Sequence, residues 1–432
     1  MNRGRCPRRI GALALVAALL GGAGPSGSSE ASAASQSGGH TARGPLPART
    51  QAKVRHILYR FRDTNRTPGV LIGIWSPRGK FVSASGIANL ATGKPLHTHM
   101  QFKIASQTKT FVGNLILQLV GEGKVSLGDH ISKWIAGVPN GDRITIRELL
   151  NHTSGLGNGF GLPAIQAQLA SGCSVDFLLT TEATAPPVAA PGAKWSYSNY
   201  GYNLLGRVVE LATAQDLSTA IQKRIARPLG LRRTLLPTSI TGNGLSPPFT
   251  HGYGIGEVGP SQWPTASDDA TTIPGSCLWA HGGMVSTLRD MRVWSRALAT
   301  GALLKPAVWR KAKRNAIPYE FGDHYNGPGR WKYGLGVNKS GGFIGGVGSF
   351  AGYESTAMYS PARRTAIEVV STKQANAITP PPMFQALAMA VFGRHIGFGL
   401  TPTQALKANC FDRPPGSESG KKPRRRCPSP DA

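Results

Sequence analysis

The sequence predicts an α+β protein: one antiparallel sheet built from both ends of the chain and flanked by helices, with a mainly helical insertion between them. Three observations predict it. Runs with strand character and turn residues at their borders occur early, as "GVLIGIW" (69–75) and "KFVSASG" (80–86), and again late, as "GYESTAMYS" (352–360) and "RTAIEVVS" (364–371). Between these runs the apolar residues recur at helical spacing. Strands segregated to the ends and helices to the middle are the α+β pattern. A 432-residue chain that is 40 % hydrophobic can also bury a sizeable core.

The elements follow in order. Arg3, Arg5, Arg8 and Arg9 precede the apolar stretch Ile10–Leu20, and small residues with an A-x-A match at Ala31-Ser32-Ala33 come next. Basic head, apolar stretch and small-residue site together read as a cleavable export signal over residues 1–34. The apolar stretch is about half of the ~20 residues a spanning helix needs, so no stable membrane span is expected. Arg8-Arg9 has poor flanks for a twin-arginine signal, and Cys6 lies before the apolar stretch, where no lipid anchor is placed. Residues 35–52 are small and polar, a flexible linker.

The folded domain is expected over 53–398. It opens with a helix from Val54 to Phe61, then the two early strands joined by a turn at "SPRG". Ser106–Gly121 is the clearest helix: Phe111, Val112, Leu115, Leu119 and Val120 keep its period, and Gly121 and Gly123 stop it. Helical patterns fill 124–235. The glycine-rich, irregular stretch 251–275 reads as a functional lip. Met284–Thr300 reads as a helix starting at "STLRD", "YGLGV" (333–337) as a strand, "PARR" as the last turn, and "MFQALAMAVF" (383–392) as an apolar helix over the sheet. A basic, proline-rich tail occupies 399–432 and is expected to be mobile.

The formal net charge is +28, which favours acidic surfaces in general. For an exported chain such a surface is an anionic cell-wall polymer, and nucleic acid is not an expected partner; charge kept for solubility explains the same excess equally well. Once Cys6 leaves with the signal, Cys173, Cys277, Cys410 and Cys427 remain, an even set in an exported protein. Cys410 is close to Cys427, which leaves Cys173 for Cys277. The cysteine and histidine spacing fits no metal site.

The chemistry begins at "IASQTKTF" (104–111), where Lys109 stands three residues after Ser106 at the start of an apolar helix. A serine hydroxyl needs a base within hydrogen-bond reach to act as a nucleophile. Residues i and i+3 share a helix face, and a lysine among apolar side chains loses hydration and proton affinity, so Lys109 can be that base. At a helix start the backbone N–H groups also favour a developing negative charge. Tyr197-Ser198-Asn199, on a loop before the helical run ending "LLGRVVEL", offers a phenol that can pass a proton and an amide that can hold a carbonyl and the lysine. His152 in "LLNHTSGL" reads as a structural turn residue and His281 as a packing residue. With no G-x-S-x-G anywhere, a Ser-His-Asp hydrolase of the α/β type is disfavoured.

Taken in order, "FKIASQTKTFVGNLILQLVGEGKVSLGDHISKWI", "ITIRELLNHTSGL", "YSNYGYNLLG", "RPLGLRRTLLP", "HGGMVSTLRDM" and "KYGLGV" resemble the serine β-lactamase and penicillin-binding-protein superfamily. The branch is that of the class C β-lactamases, the D-alanyl-D-alanine carboxypeptidases and their esterase relatives, over residues 53–395. The resemblance implies a β-lactamase/transpeptidase-like fold whose helical insertion carries the nucleophile. It implies that Ser106 is acylated, that Lys109 and Tyr197 share the base and acid work in an order the sequence leaves open, and that Asn199 positions substrate. It also implies that the backbone N–H groups of Ser106 and Ser349 form the oxyanion hole beside Gly348, with no cofactor and no metal.

One stretch departs from the family. Its third motif, Lys or His, then Thr or Ser, then Gly, is replaced by Gly346-Val347-Gly348. The glycine is kept, while the cation and the hydroxyl that hold a substrate carboxylate are lost. The expected protein is an exported, monomeric serine hydrolase working through an acyl-enzyme, carboxypeptidase-like or β-lactamase-like, on a peptidoglycan stem peptide, a β-lactam or an ester. An esterase of the same family, and a non-catalytic wall-binding protein on the same fold, are its alternatives.

Overall fold

A computed structural model describes residues 44–259, 261–314, 316–319, 331–375, 380–393, 396 and 398. The expected export signal, the tail 399–432 and with it the proposed Cys410–Cys427 pair lie outside the described residues.

Five long strands carry the sheet: β1 (Gly69–Ser76), β2 (Gly79–Asn89), β3 (Phe343–Phe350), β4 (Tyr353–Ser360) and β5 (Thr365–Ser371). They run antiparallel in the order β2-β1-β5-β4-β3, so the two ends of the chain meet where β1 pairs with β5, Val70 opposite Ser371 and Trp75 opposite Ala366. The short strands 94–95 on one side and 338–340, 332–333 and 317–318 on the other extend the sheet. The "SPRG" turn closes the β1–β2 hairpin as expected, with Ser76 opposite Gly79.

Every residue of β1 is buried, because both sheet faces are covered. Side chains alternate along a strand. Val70, Ile72 and Ile74 therefore enter one core, with Val54, Ile57, Leu58 and Phe61 of helix α1 (Ala48–Thr64). Leu71 and Trp75 enter the other core, which holds the helical body. The expected C-terminal helix also packs on the α1 face: Met383, Phe384 and Leu387 are buried there, within Pro380–Phe392.

The helical body is organised around α2 (Thr108–Gly121), in which Phe111, Val112, Leu115, Ile116 and Leu119 are fully buried. At about 1.5–3 kcal/mol per buried side chain, this helix is a main source of cohesion in the body. It packs against α3 (Asn199–Thr213) and against the short helix Trp279–Gly282. α3 in turn packs closely on that short helix through Gly206, where a Cβ would lie 2.4 Å from the Ala280 methyl. A disulfide joins Cys173 to Cys277, as the sequence predicts, tying the helical body to the segment before Trp279.

Three boundaries differ from expectation. Helix α1 begins at Ala48, so residues 48–52 of the expected linker 35–52 are helical. Met284 does not begin a helix: Val285–Ser286 pairs with Phe102–Lys103, and Thr287 caps the helix α4 (Leu288–Thr300) by accepting from the Asp290 N–H. A threonine in extended backbone ahead of an acidic first turn outweighs the apolar period before it. "YGLGV" is not one strand either. Lys332–Tyr333 and Asn338–Ser340 are separate strands turned over residues 334–337, with Gly336 at φ +77°. There Gly336 lies against Gly113 of α2, where a Cβ would sit 3.0 Å from the Gly113 Cα.

Candidate active site

Ser106 stands where three elements converge. Ile104, just before it, donates its N–H to the Met284 carbonyl, and the pair Phe102–Lys103 with Val285–Ser286 fixes the approach. Ala105 then adopts φ +45°, an uncommon conformation for a residue with a side chain, and the chain turns through residues 105–107 into α2. The Thr108 hydroxyl donates to the Ala105 carbonyl and accepts from the Met284 N–H, which stitches the turn shut. Within 101–110 every residue is buried except Ser106, so the strained turn presents one hydroxyl to the cleft.

Lys109 lies one turn on and is 1 % exposed. Its Nζ is 3.2 Å from Ser106 Oγ, 2.7 Å from Asn199 Oδ1 and 2.8 Å from the carbonyl oxygen of His281. It also sits over the rings of Tyr197 (4.7 Å) and Tyr202 (5.6 Å). Burial drives its proton affinity well below the usual lysine value, with Glu182 as an opposing influence. Tyr197 completes the cluster: its hydroxyl donates to Ser106 Oγ at 2.8 Å. Burial raises the Tyr197 hydroxyl far above its usual range, so it stays protonated.

The loop that delivers Tyr197 and Asn199 is pinned by His152. This residue takes φ +62° and is buried. Its carbonyl accepts from the Ser196 N–H, and its Nδ1 accepts from the Ser198 N–H at 3.2 Å. Its ring packs on Tyr197, Tyr202 and Tyr333. The expected turn role is thus also a positioning role. Ser198 caps α3 by accepting from the Gly201 N–H and donates to the Gly157 carbonyl, while the Asn199 N–H donates to Asn158 Oδ1.

On the far side β3 passes directly over the nucleophile. A Cβ at Gly348 would lie 2.2 Å from the Ile104 oxygen and 3.1 Å from the Ser106 nitrogen, so only glycine fits there. Ser349 follows, opposite Glu354 of β4. Gly346, on the same face as Gly348 two residues earlier, looks onto α2: its absent Cβ would meet Thr110 and Gln107. The Gln107 amide donates to Ser355 Oγ at 2.6 Å, so a neutral hydrogen bond holds this region of the cleft floor. Val347 points to the opposite core. Lys103, two residues before Ala105, offers no substitute cation. Its ammonium is committed to the carbonyls of Ala270, Thr271 and Ile273, which fastens the irregular lip 251–275 beside the site. Phe160 and Phe350 meet edge to face at 5.1 Å, and Phe160 also meets the His281 ring, so one wall of the cleft is aromatic.

The structure therefore brings Ser106, Lys109, Tyr197, Asn199, Gly348 and Ser349 into one place. Sequence reasoning missed three contributors: the His281 carbonyl, Gln107 and the buried Glu182. The first is a backbone group and carries no sequence signal. Gln107 lies inside the quoted motif, and a glutamine next to a nucleophile in an apolar helix was the available clue.

This fold, with a serine, a buried lysine and a tyrosine clustered between sheet and helical body, is that of the β-lactamase/transpeptidase-like superfamily. A family model described as Beta-lactamase matches residues 54–388, and the chain belongs to that family, whose members are serine hydrolases. Among relatives, the chain is 35 % identical over 164 residues to "Esterase EstB" of Burkholderia gladioli, covering 34 % of this chain and 42 % of the esterase. It is 28 % identical over 179 residues to "Penicillin-binding protein 4" of Amycolatopsis lactamdurans, covering 40 % and 46 %. The chain thus spans about half the length of the curated relatives it matches. A solved D-stereospecific amidohydrolase from Streptomyces sp. superposes with a TM-score of 0.66 at 25 % identity, covering 80 % of this chain and 99 % of that one. The D-amino acid amidase of Ochrobactrum anthropi SV3 shares the fold, with a TM-score of 0.68 at 23 % identity over 78 % and 98 %.

Proposed function

We propose that this protein is an exported serine hydrolase that works through an acyl-enzyme at Ser106, on esters or amides that lack a free carboxylate next to the scissile bond. The observation that carries the reading is the set of partners around Lys109. Asn199 Oδ1 and the His281 carbonyl oxygen are acceptors and nothing else, so a neutral amine spends both of its N–H bonds on them. Its lone pair is then left for Ser106, and Tyr197, kept protonated, donates to the same oxygen.

The steps follow from that arrangement. Ser106 passes its proton to Lys109 as its Oγ bonds to the substrate carbonyl carbon, and the carbonyl electron pair moves onto oxygen. The N–H groups of Ser106 and Ser349 receive that oxyanion in a water-poor site. Collapse breaks the bond to the alcohol or amine, which takes its proton from Lys109 by way of Tyr197. Water, activated by the same pair, then releases the acid and restores Ser106.

The substrate class rests on Gly346-Val347-Gly348. No side chain there supplies a cation or a hydroxyl to the cleft, and Lys103 is committed elsewhere. The aromatic wall of Phe160 and Phe350 favours an apolar acyl group. A carboxypeptidase reading retains support from the penicillin-binding relative and from the putative D-alanyl-D-alanine carboxypeptidase of Salmonella paratyphi A, 29 % identical over 227 residues. The disulfide supports export, since such bonds persist in oxidising compartments. Among the described residues no helix is long and apolar enough to cross a membrane. Steady-state rates on matched substrates test the specificity. Turnover of p-nitrophenyl butyrate and D-phenylalanine amide well above that of a D-alanyl-D-alanine peptide is expected. Faster cleavage of the peptide would overturn the substrate class.

A further inference from the structure

Glu182 ends the helix Val175–Glu182 with a side chain that is completely buried. A carboxyl group in such a place is costly unless it is neutral, hydrogen-bonded or matched by a cation. One of its oxygens accepts from Asn203 Nδ2 at 2.8 Å, and the other is buried with no protein partner. Asn203 lies one turn after Asn199 on α3, so the two amides share a helix face. Asn199 holds Lys109 and Asn203 holds Glu182. The seat is made specifically for this side chain: Gly159 lies against it at φ +71°, and a Cβ there would be 2.8 Å from the Glu182 Cγ.

We infer that Glu182 is a positioning residue for the proposed acyl transfer, supplying along the same face of α3 the buried negative charge that stabilises Lys109 as it takes the proton of Ser106. The inference rests on the serine hydrolase reading above. The charges of the two groups are coupled in both directions: Glu182 raises the proton affinity of Lys109, and Lys109 lowers that of Glu182. Burial dominates for each, pushing Lys109 well down and Glu182 up to about 8. Glu182 therefore gains its negative charge as the pH rises through about 8. The other titratable groups facing the pair do not compete. Burial pushes the rings of His152 and His281 well below the usual histidine range. The hydroxyls of Tyr197 and Tyr200 are pushed far above their usual range. No proton need leave Glu182 during turnover; its ionisation state is set beforehand by pH.

The test is the pH dependence of acylation at Ser106, read as the rate of the mass increase with p-nitrophenyl acetate or a fluorophosphonate, with Ser106→Ala as control. In the wild type the rate is expected to rise through a step centred near pH 8. Glu182→Gln keeps the size of the side chain and a hydrogen bond to Asn203 but cannot ionise, and it should lose that step. Asn203→Leu removes the donor that favours the carboxylate, so its step should move to higher pH. That shift also keeps the inference testable if Glu182→Gln does not fold. Superimposable profiles for the wild type and Glu182→Gln, or an unshifted step in Asn203→Leu, would overturn the inference while leaving the nucleophile intact. A wild type with no labelling at Ser106 would overturn both.

Discussion

In the proposed mechanism Lys109 owes its role as base to its surroundings rather than to its own chemistry. Apolar surroundings strip its hydration, and two fixed acceptors, Asn199 Oδ1 and the His281 carbonyl, hold it beside Ser106. Lys109→Met should therefore abolish acylation, while Lys109→Arg, always charged and too bulky for this pocket, should do no better. Tyr197→Phe keeps the ring packing and removes one proton donor. A loss of roughly 10²–10⁴ in kcat/KM is expected, read against unchanged melting behaviour. Gly348→Ala places a methyl on the Ile104 carbonyl and the Ser106 nitrogen. It should cost activity together with about 1–3 kcal/mol of stability, measured by urea unfolding. The reactive side chains were legible in the sequence because each requires a particular functional group at a particular spacing. The second acceptor for Lys109 was not, since the carbonyl of His281 would serve equally well on many other residues.

At the scale of elements, the site depends on three pieces of backbone that approach without side chains between them. Gly206 lets α3 touch the helix at Trp279–Gly282, Gly336 lets the 334–337 turn touch α2, and Gly348 lets β3 touch the nucleophile. These glycines stood in plain view, but an approach between elements distant in sequence leaves no local period, so only Gly348 could be interpreted beforehand. The same reason explains the misread helix start at Met284. Met284 and Val285 are apolar and continue a helical pattern, yet Val285–Ser286 is claimed by strand pairing with Phe102–Lys103, a partner far away in the chain. The long strands and α2 were readable because their period is local. The disulfide belongs to this scale too. It closes a separation of 104 residues between the helical body and the segment carrying His281. Replacing both Cys173 and Cys277 by Ser should lower stability by about 2–4 kcal/mol, visible as a fall in Tm, with a smaller effect on kcat.

For the molecule as a whole, the sheet acts as a wall with a core on each face, and the cleft opens where β3 meets the helical body. The lip 251–275 is fastened by two lysines, Lys103 in the short pairing with Val285–Ser286 and Lys373 just after β5. Lys103 donates to Ala270, Thr271 and Ile273, and Lys373 donates to Gly259 and Gln262 as well as to Asn65. Burial lowers Lys103 to about 7, against 10.5 for a free lysine. Between these values the unfolded chain binds more protons than the folded one, so this group's contribution to stability rises with pH from about 7 to 10.5. In Lys103→Met that portion of the pH dependence of Tm should vanish, even though the variant loses the carbonyl contacts at every pH. The excess of basic residues, +28 overall, remains the feature with the least structural explanation.

The most direct measurement of the central claim is intact-mass spectrometry of the protein with an activated ester and, separately, with a penicillin. The account predicts an acyl adduct from the ester that is absent in Ser106→Ala. It also predicts a weaker penicillin adduct, because the strand at Gly346-Val347-Gly348 gives a carboxylate no side-chain partner. No adduct with any acyl donor, or an ester adduct that persists in Ser106→Ala, would contradict it.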